Sequence, residues 1–259
     1  MGVLLIVLLI ACLFVHGAAI ACKEFDPNLI TLVTFDVFAA LMDTPSSLIS
    51  NVAKILPSLP HWEVESLVDT WLNDYGSYAG TVFDEAVTGS SPFQWMLRTS
   101  LDDIIADMDL NLTSAEYEAL IAAWGQLTPW AGTKEVLQRL SAETKIMLAP
   151  MSNGDAGTLK AAMEVFLPEV NMTEHFVFSS DFPVGSFKPD ARMYAQVPEN
   201  DNGVSVQQEL HVAGAPTDAW GSRDYGLFTA LVYKSPTDGP NYPCFVLNNI
   251  TDLLTIFNL

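Results

Sequence analysis

The chain has 259 residues, half of them apolar, with 31 acidic against 11 basic side chains and a formal net charge of −20. That length allows one large domain or a core carrying a smaller inserted one. The charge excludes nucleic acid and anionic membrane surfaces as partners, and three cysteines exclude a disulfide-framework fold.

Val3 to Val15 is an almost unbroken apolar run, followed by small residues up to Ala21. This reads as a secretory signal peptide over residues 1–21. An uncleaved anchor is the alternative, although the run is shorter than the roughly 20 residues a membrane-spanning helix needs. Once it is removed, no stable membrane association is expected. Asn111, Asn171 and Asn249 each precede a threonine by two positions. They support a secreted, N-glycosylated protein. Past the leader only Cys22 and Cys244 remain, and a disulfide between them and two free thiols are both open.

Leu29 to Phe35 reads as a strand buried on both faces and ending at Asp36. From Ser46 to about Pro129 apolar residues recur at helical spacing, as in Val64, Leu67, Val68, Trp71 and Leu72. Thr113 to Glu116 forms a capping-box start for a helix reaching Trp124. An alternation follows. Helices are expected over Gly132–Leu140, Ala156–Phe166, Asp190–Val197, Thr217–Tyr225 and Ile250–Phe257. Strands are expected over Lys145–Met151, His175–Ser179, Leu210–Ala213 and Phe228–Tyr233. Thr237 to Pro243 is a turn-rich loop.

Strands alternating with helices imply parallel pairing with right-handed crossovers. The expected fold is α/β, a Rossmann-like doubly wound parallel sheet with an inserted α-helical cap. Residues 22–45 and 129–259 form the core and residues 46–128 the cap. Functional residues of such a sheet lie at the carboxyl ends of its strands. Asp36, Ser152 and Asp218 each fall just past an expected strand, and Lys188-Pro189-Asp190 adds a further polar site.

Four segments resemble the haloacid dehalogenase superfamily, and within it the L-2-haloacid dehalogenase branch. Phe35-Asp36-Val37-Phe38-Ala39-Ala40-Leu41 is similar to FDxYGTL, and Met151-Ser152-Asn153-Gly154 to LSNG. Phe187 to Tyr194 is similar to YKPDxRVY, and Val212 to Gly221 to VSSNxxDxxGA. The resemblance covers roughly Leu32 to the C-terminus.

It implies that Asp36 is the nucleophile, displacing halide from a short 2-haloacid and forming an aspartyl ester that water cleaves. It implies that Lys188 neutralises and orients Asp36. Asp218 would bind Lys188 or position the hydrolytic water. Phe38 stands where the family's dehalogenases carry an aromatic and its phosphatases a second aspartate. Ser152 and Asn153 would bind the substrate carboxylate at a helix N-terminus, and Tyr194 matches a tyrosine near the site. Neither metal nor organic cofactor is implied. The expected partner is a small anionic substrate, and the family often forms homodimers through the cap.

Bland roles stand beside these: Asp36 capping a loop, Phe38 and Tyr194 packing in the core, Ser152 and Asp218 capping helices, Lys188 solvated. The chain also departs from the family at Ala40, Ala213 and Ala215, which stand for Thr, Ser and Asn, and at Leu72, aligned nearest to a cap arginine. That leaves Arg98 as a further cation for substrate. The departures keep a non-catalytic or re-purposed protein as an alternative, with a Mg-dependent phosphatase behind it.

Overall fold

The computed structural model describes residues 22–170, 177–199, 203–232 and 243–259. The expected leader, Asn171, His175 and most of the turn-rich loop lie outside them. Five parallel strands form one sheet: β1 (Leu32–Phe35), β2 (Met147–Pro150), β3 (Glu209–Ala213), β4 (Phe228–Val232) and β5 (Phe245–Leu247), in the order β2-β1-β3-β4-β5. Every residue of β1, β3 and β4 is buried, as in strands covered on both faces, the polar Thr34, Glu209, His211 and Thr229 included. The connections diverge from β1 and β3, so a crevice opens beyond the carboxyl ends of these two strands.

β1 starts at Leu32 rather than Leu29. Residues 26–29 form a turn in which the Leu29 amide donates to the Asp26 carbonyl, and the Leu29 side chain is exposed. Of the expected strand at 175–179, the described residues 177–179 form a single bridge of Phe178 to Met151, and beyond it the Ser180 amide donates to the Gly154 carbonyl. β5 was not read from the sequence. The expected last helix is a 3-10 turn, Ile250–Asp252, running into a shorter helix at 253–256.

Between β1 and β2 lie α1 (Thr44–Ile55), α2 (His61–Ser77), α3 (Glu85–Thr88), α4 (Pro92–Asp107) and α5 (Ser114–Ala122). The Asp43 side chain caps α1 by accepting from the Ser46 amide, and Thr113 with Glu116 forms a capping box on α5. α2 packs between α1 and α4, burying Val64, Leu67, Val68 and Trp71 against Phe93, Met96 and Leu97. The chain leaves the sheet layer at Met42 and returns at Pro129, where the two residues form an antiparallel bridge. The remaining helices are α6 (Thr133–Glu143), α7 (Ala156–Met163), α8 (Ala191–Glu199), α9 (Pro216–Tyr225) and α10 (Leu253–Ile256). Among the described residues no helix is long and apolar enough to cross a membrane.

Cys22 and Cys244 form a disulfide that spans 222 residues, with Cα atoms 5.1 Å apart. It fixes the segment before β1 to the segment leading into β5, where Phe25 packs edge-on against Phe228 and Phe245. Cys22→Ser is expected to lower stability by roughly 2–5 kcal/mol, since a loop this long leaves the open chain much freer. Thermal unfolding with and without reductant checks it: the wild type should fall to the variant's midpoint, and the variant should not respond.

Candidate active site

Asp36 leaves β1 at the crevice, its amide donating to the Val212 carbonyl of β3 at 2.9 Å. Val37–Leu41 then winds as one wide helical turn for which Asp36 is the N-cap. Its Oδ2 accepts from the amides of Ala39 (3.0 Å) and Ala40 (3.3 Å). Its Oδ1 accepts from Ser152 Oγ and Lys188 Nζ, both at 2.9 Å. The turn is pressed against the loop after β3. A Cβ on Gly214 would lie 2.4 Å from the Ala39 carbonyl carbon and the Ala40 nitrogen, so only glycine permits this approach.

Lys188 is buried between two carboxylates. Nζ donates to Asp36 Oδ1, to the Met151 carbonyl at 3.1 Å and to Asp218 Oδ2 at 2.7 Å. Burial pulls the ammonium's pKa down, but Asp218 and Asp36 outweigh it and raise the pKa above the ordinary lysine value. Asp218 lies in the first turn of α9, and its Oδ1 accepts from the Tyr194 hydroxyl at 2.9 Å. It also faces His211 Nε2 at 3.1 Å. Burial raises its pKa, yet Lys188 and then His211 hold it well below the usual carboxylate range. Asp218 is therefore a fixed anion under Lys188 and a weak base.

A cavity of about 310 Å³ opens above these groups. Asp36, Phe38, Asn153, Lys188 and Asp218 line it, together with Leu72, Tyr75, Trp130, Ala215 and Thr217. Phe38 stacks on Phe93 at 5.3 Å and meets Trp124 and Tyr75 edge-on, so one wall is aromatic.

Three of the expected residues stand outside the cavity lining. Ser152 does not line the cavity or cap a helix: its hydroxyl is spent on Asp36, and α7 is capped by Asp155, which accepts from the Thr158 amide. Tyr194 is fully buried behind Asp218 and does not reach the cavity. Arg98 lies on the far surface of α4 in a two-point pair with Glu118, at 2.7 and 2.8 Å. Asn153 does line the cavity, with its Oδ1 accepting from the Lys188 amide at 2.8 Å. Asp218 is the third residue of α9 rather than its cap.

Sequence reading missed Tyr75, half-buried on the cavity wall, whose hydroxyl is kept protonated by desolvation and then by the nearby Asp36 charge. Its spacing from Leu72, one turn back along α2, was the available signal. It also missed Glu209, His211 and Thr34, polar residues inside two apolar strands. Glu209 is fully buried and its carboxyl is pushed up to about 8, by burial above all. A group whose folded pKa lies above its unfolded value of 4.5 binds more protons in the folded state across that interval. Its stabilising effect is full below 4.5 and is lost as pH rises towards 8. Stability should therefore fall on the order of 1 kcal/mol per pH unit in that window. Glu209→Met should flatten the slope, as read from denaturant melts across pH.

No protein-family model and no curated protein sequence matches the chain. Solved structures do. The L-2-haloacid dehalogenase of Xanthobacter autotrophicus matches with a TM-score of 0.70 at 21% identity, over 89% of this chain and 100% of its own. The same enzyme with chloropropionic acid covalently bound matches at 0.70 and 20% identity, over 89% and 100%. The L-2-haloacid dehalogenase RSc1362 matches at 0.71 and 23%, over 89% and 99%. The chain thus has the fold of the L-2-haloacid dehalogenases within the haloacid dehalogenase superfamily. At this identity the likeness is one of fold, and it covers the sheet and the helical cap together.

Proposed function

We propose that the protein is a hydrolase of the haloacid dehalogenase type, with Asp36 as nucleophile. One observation carries the reading. Asp36 borders the cavity while a buried lysine holds it against a second, permanently ionised carboxylate. A carboxylate paired with a cation and fixed in direction is what an in-line displacement at carbon needs.

In the first step an Asp36 oxygen attacks C2 of a short 2-haloacid. The carbon–oxygen bond forms as the carbon–halogen bond breaks, and halide leaves with the electron pair. In the second step water adds to the Asp36 ester carbonyl, the acyl–oxygen bond breaks, and the 2-hydroxy acid departs with release of one proton. Asn153, Tyr75 and Thr217 are the cavity's polar contacts for the substrate, and Phe38 with Trp130 shields the reacting carbon from water. The covalently bound chloropropionic acid in the Xanthobacter enzyme supports this order of steps.

A second reading is a silent site on the same fold. Both Asp36 oxygens already accept two hydrogen bonds each, and Leu72 and Ala215 present only hydrocarbon to the cavity. Halide release from 2-chloropropionate separates the two. Release above the uncatalysed rate supports the hydrolase, and none supports the silent site.

The same proposal includes export. The Cys22–Cys244 bond suits an oxidising compartment, and Asn111 is exposed. A fall in mass on deglycosylating protein from a eukaryotic secretory host would support it, and an unchanged mass would count against glycosylation.

A further inference from the structure

The helical cap is fastened to the core beyond its linkers. At the linkers Met42 and Pro129 form a bridge, the Asp43 amide donates to the Thr128 carbonyl, and the Trp130 amide donates to the Leu41 carbonyl. A short antiparallel ribbon then joins cap residues 80–83 to core residues 185–188, with Val82 paired to Ser186. The Gly80 amide donates to the Lys188 carbonyl (3.0 Å), the Phe187 amide to the Thr81 carbonyl (3.0 Å) and the Phe83 amide to the Gly185 carbonyl (2.8 Å). The Phe83 and Phe187 rings meet edge-on at 4.8 Å. A further tie lies at α7, where Gln94 Nε2 of α4 donates to Asp155 Oδ2 at 2.8 Å and to Thr158 Oγ1 at 3.2 Å.

A cap that swings must turn about its covalent linkers. Such a turn has to break the ribbon and free Gln94, or carry residues 185–188 along with the cap. Carrying them withdraws Lys188 Nζ from Asp36 and Asp218, which parts a buried ammonium from both its carboxylates. Breaking the ribbon leaves the Phe187 amide and the Lys188 carbonyl, both on buried residues, without partners. Either motion undoes the contacts that hold Lys188 against Asp36.

The cavity nevertheless has an opening. Among its lining residues Asp36, Phe38, Asn153, Lys188 and Asp218 are buried, whereas Pro45, Gly76, Ala79 and Thr217 are exposed and form its rim. Pro45 lies on α1, Gly76 in the last turn of α2, Ala79 just past it, and Thr217 in the first turn of α9. A glycine inside a helix weakens it relative to alanine. Gly76 does not have a positive φ, and a Cβ there would have no atom within 4 Å. Neither backbone nor packing therefore calls for glycine at this position, but an unobstructed rim does.

We infer that the cap stays fastened during the reaction, and that substrate and halide pass through a fixed mouth whose bore Gly76 and Ala79 set. These two are specificity-determining residues, because the length of the 2-haloacid is limited at the rim. The passage of substrate rests on the hydrolase reading; the fastening does not.

Hydrogen exchange of the substrate-free protein tests the fastening. The Gly80, Phe83 and Phe187 amides should exchange as slowly as those of Asp43 and Trp130 at the linkers. Faster exchange in the ribbon alone would mean that the cap swings, and would overturn the inference whatever the activity. Turnover tests the mouth. Gly76→Trp should lower kcat/KM for 2-chlorobutyrate by roughly tenfold more than for 2-chloropropionate, a selectivity that a general loss of stability does not move. An unchanged ratio between the two acids would overturn the inference. Should that variant fail to fold, the double substitution Val82→Cys and Ser186→Cys takes its place. These positions face each other across the ribbon, at a spacing that suits a disulfide. The oxidised double variant should release halide at the rate of either single variant, and inactivity of the bonded form alone would overturn the inference. No release by the wild type would instead count against the hydrolase reading, with the exchange rates still deciding the fastening.

Discussion

Asp36→Asn is expected to abolish halide release, lowering turnover by roughly 10³-fold or more, the scale on which removing a nucleophile acts. An amide oxygen is a far poorer nucleophile than a carboxylate and cannot form the ester. The substitution also places an NH2 group among donors. The Asp36 oxygens face two amides on one side and Ser152 with Lys188 on the other, so either orientation of the amide sets donor against donor. Some loss of stability should accompany the loss of turnover. A parallel melt separates the two effects: a variant folded at the assay temperature yet inert carries a chemical defect. Unchanged release would reduce Asp36 to a loop cap.

Lys188→Met should be nearly as damaging and more destabilising. Its ammonium is the one charge between Asp36 and Asp218, all three side chains being almost fully buried. Without it two carboxylates face each other across the space it filled. Breaking a buried pair from one side costs about 3–5 kcal/mol. One carboxylate will then hold a proton to relieve the repulsion, so its folded pKa rises. By linkage the variant loses stability as pH rises through that value and recovers as pH falls. The gap in melting temperature between wild type and variant should therefore narrow towards acid. Lys188→Arg should not rescue activity. The three acceptors at 2.9, 3.1 and 2.7 Å converge on one point nitrogen, and a planar guanidinium cannot occupy it.

Much of this arrangement was legible in the sequence because a parallel sheet delivers its working groups at strand ends. Asp36, Lys188 and Asp218 were each visible as a polar residue closing an apolar run or beside a turn, and the sheet brings them within hydrogen-bond reach. Which group each polar side chain chooses was not legible. Ser152 donates to Asp36 across 116 positions and Tyr194 to Asp218 across 24, and local pattern does not encode such distances. Ser152 and Tyr194 were therefore assigned to the substrate when they serve the carboxylates. β5 has only three residues behind a turn-rich segment, too few for alternation to register. Tyr75 was hidden by its own helical period, which marks it as core. Glu209 and His211 looked like flanking polarity of a strand, and only the pairing of β1 with β3 brings Thr34 between them.

The most direct test of the account is to run many turnovers of 2-chloropropionate in heavy-oxygen water and weigh the peptide carrying Asp36. The account predicts that heavy oxygen accumulates in the Asp36 carboxylate, because water attacks the ester carbonyl and leaves its oxygen there. Heavy oxygen found in the product from the first turnover, with the Asp36 peptide unchanged, would mean that water attacks the substrate directly and that Asp36 is not the nucleophile.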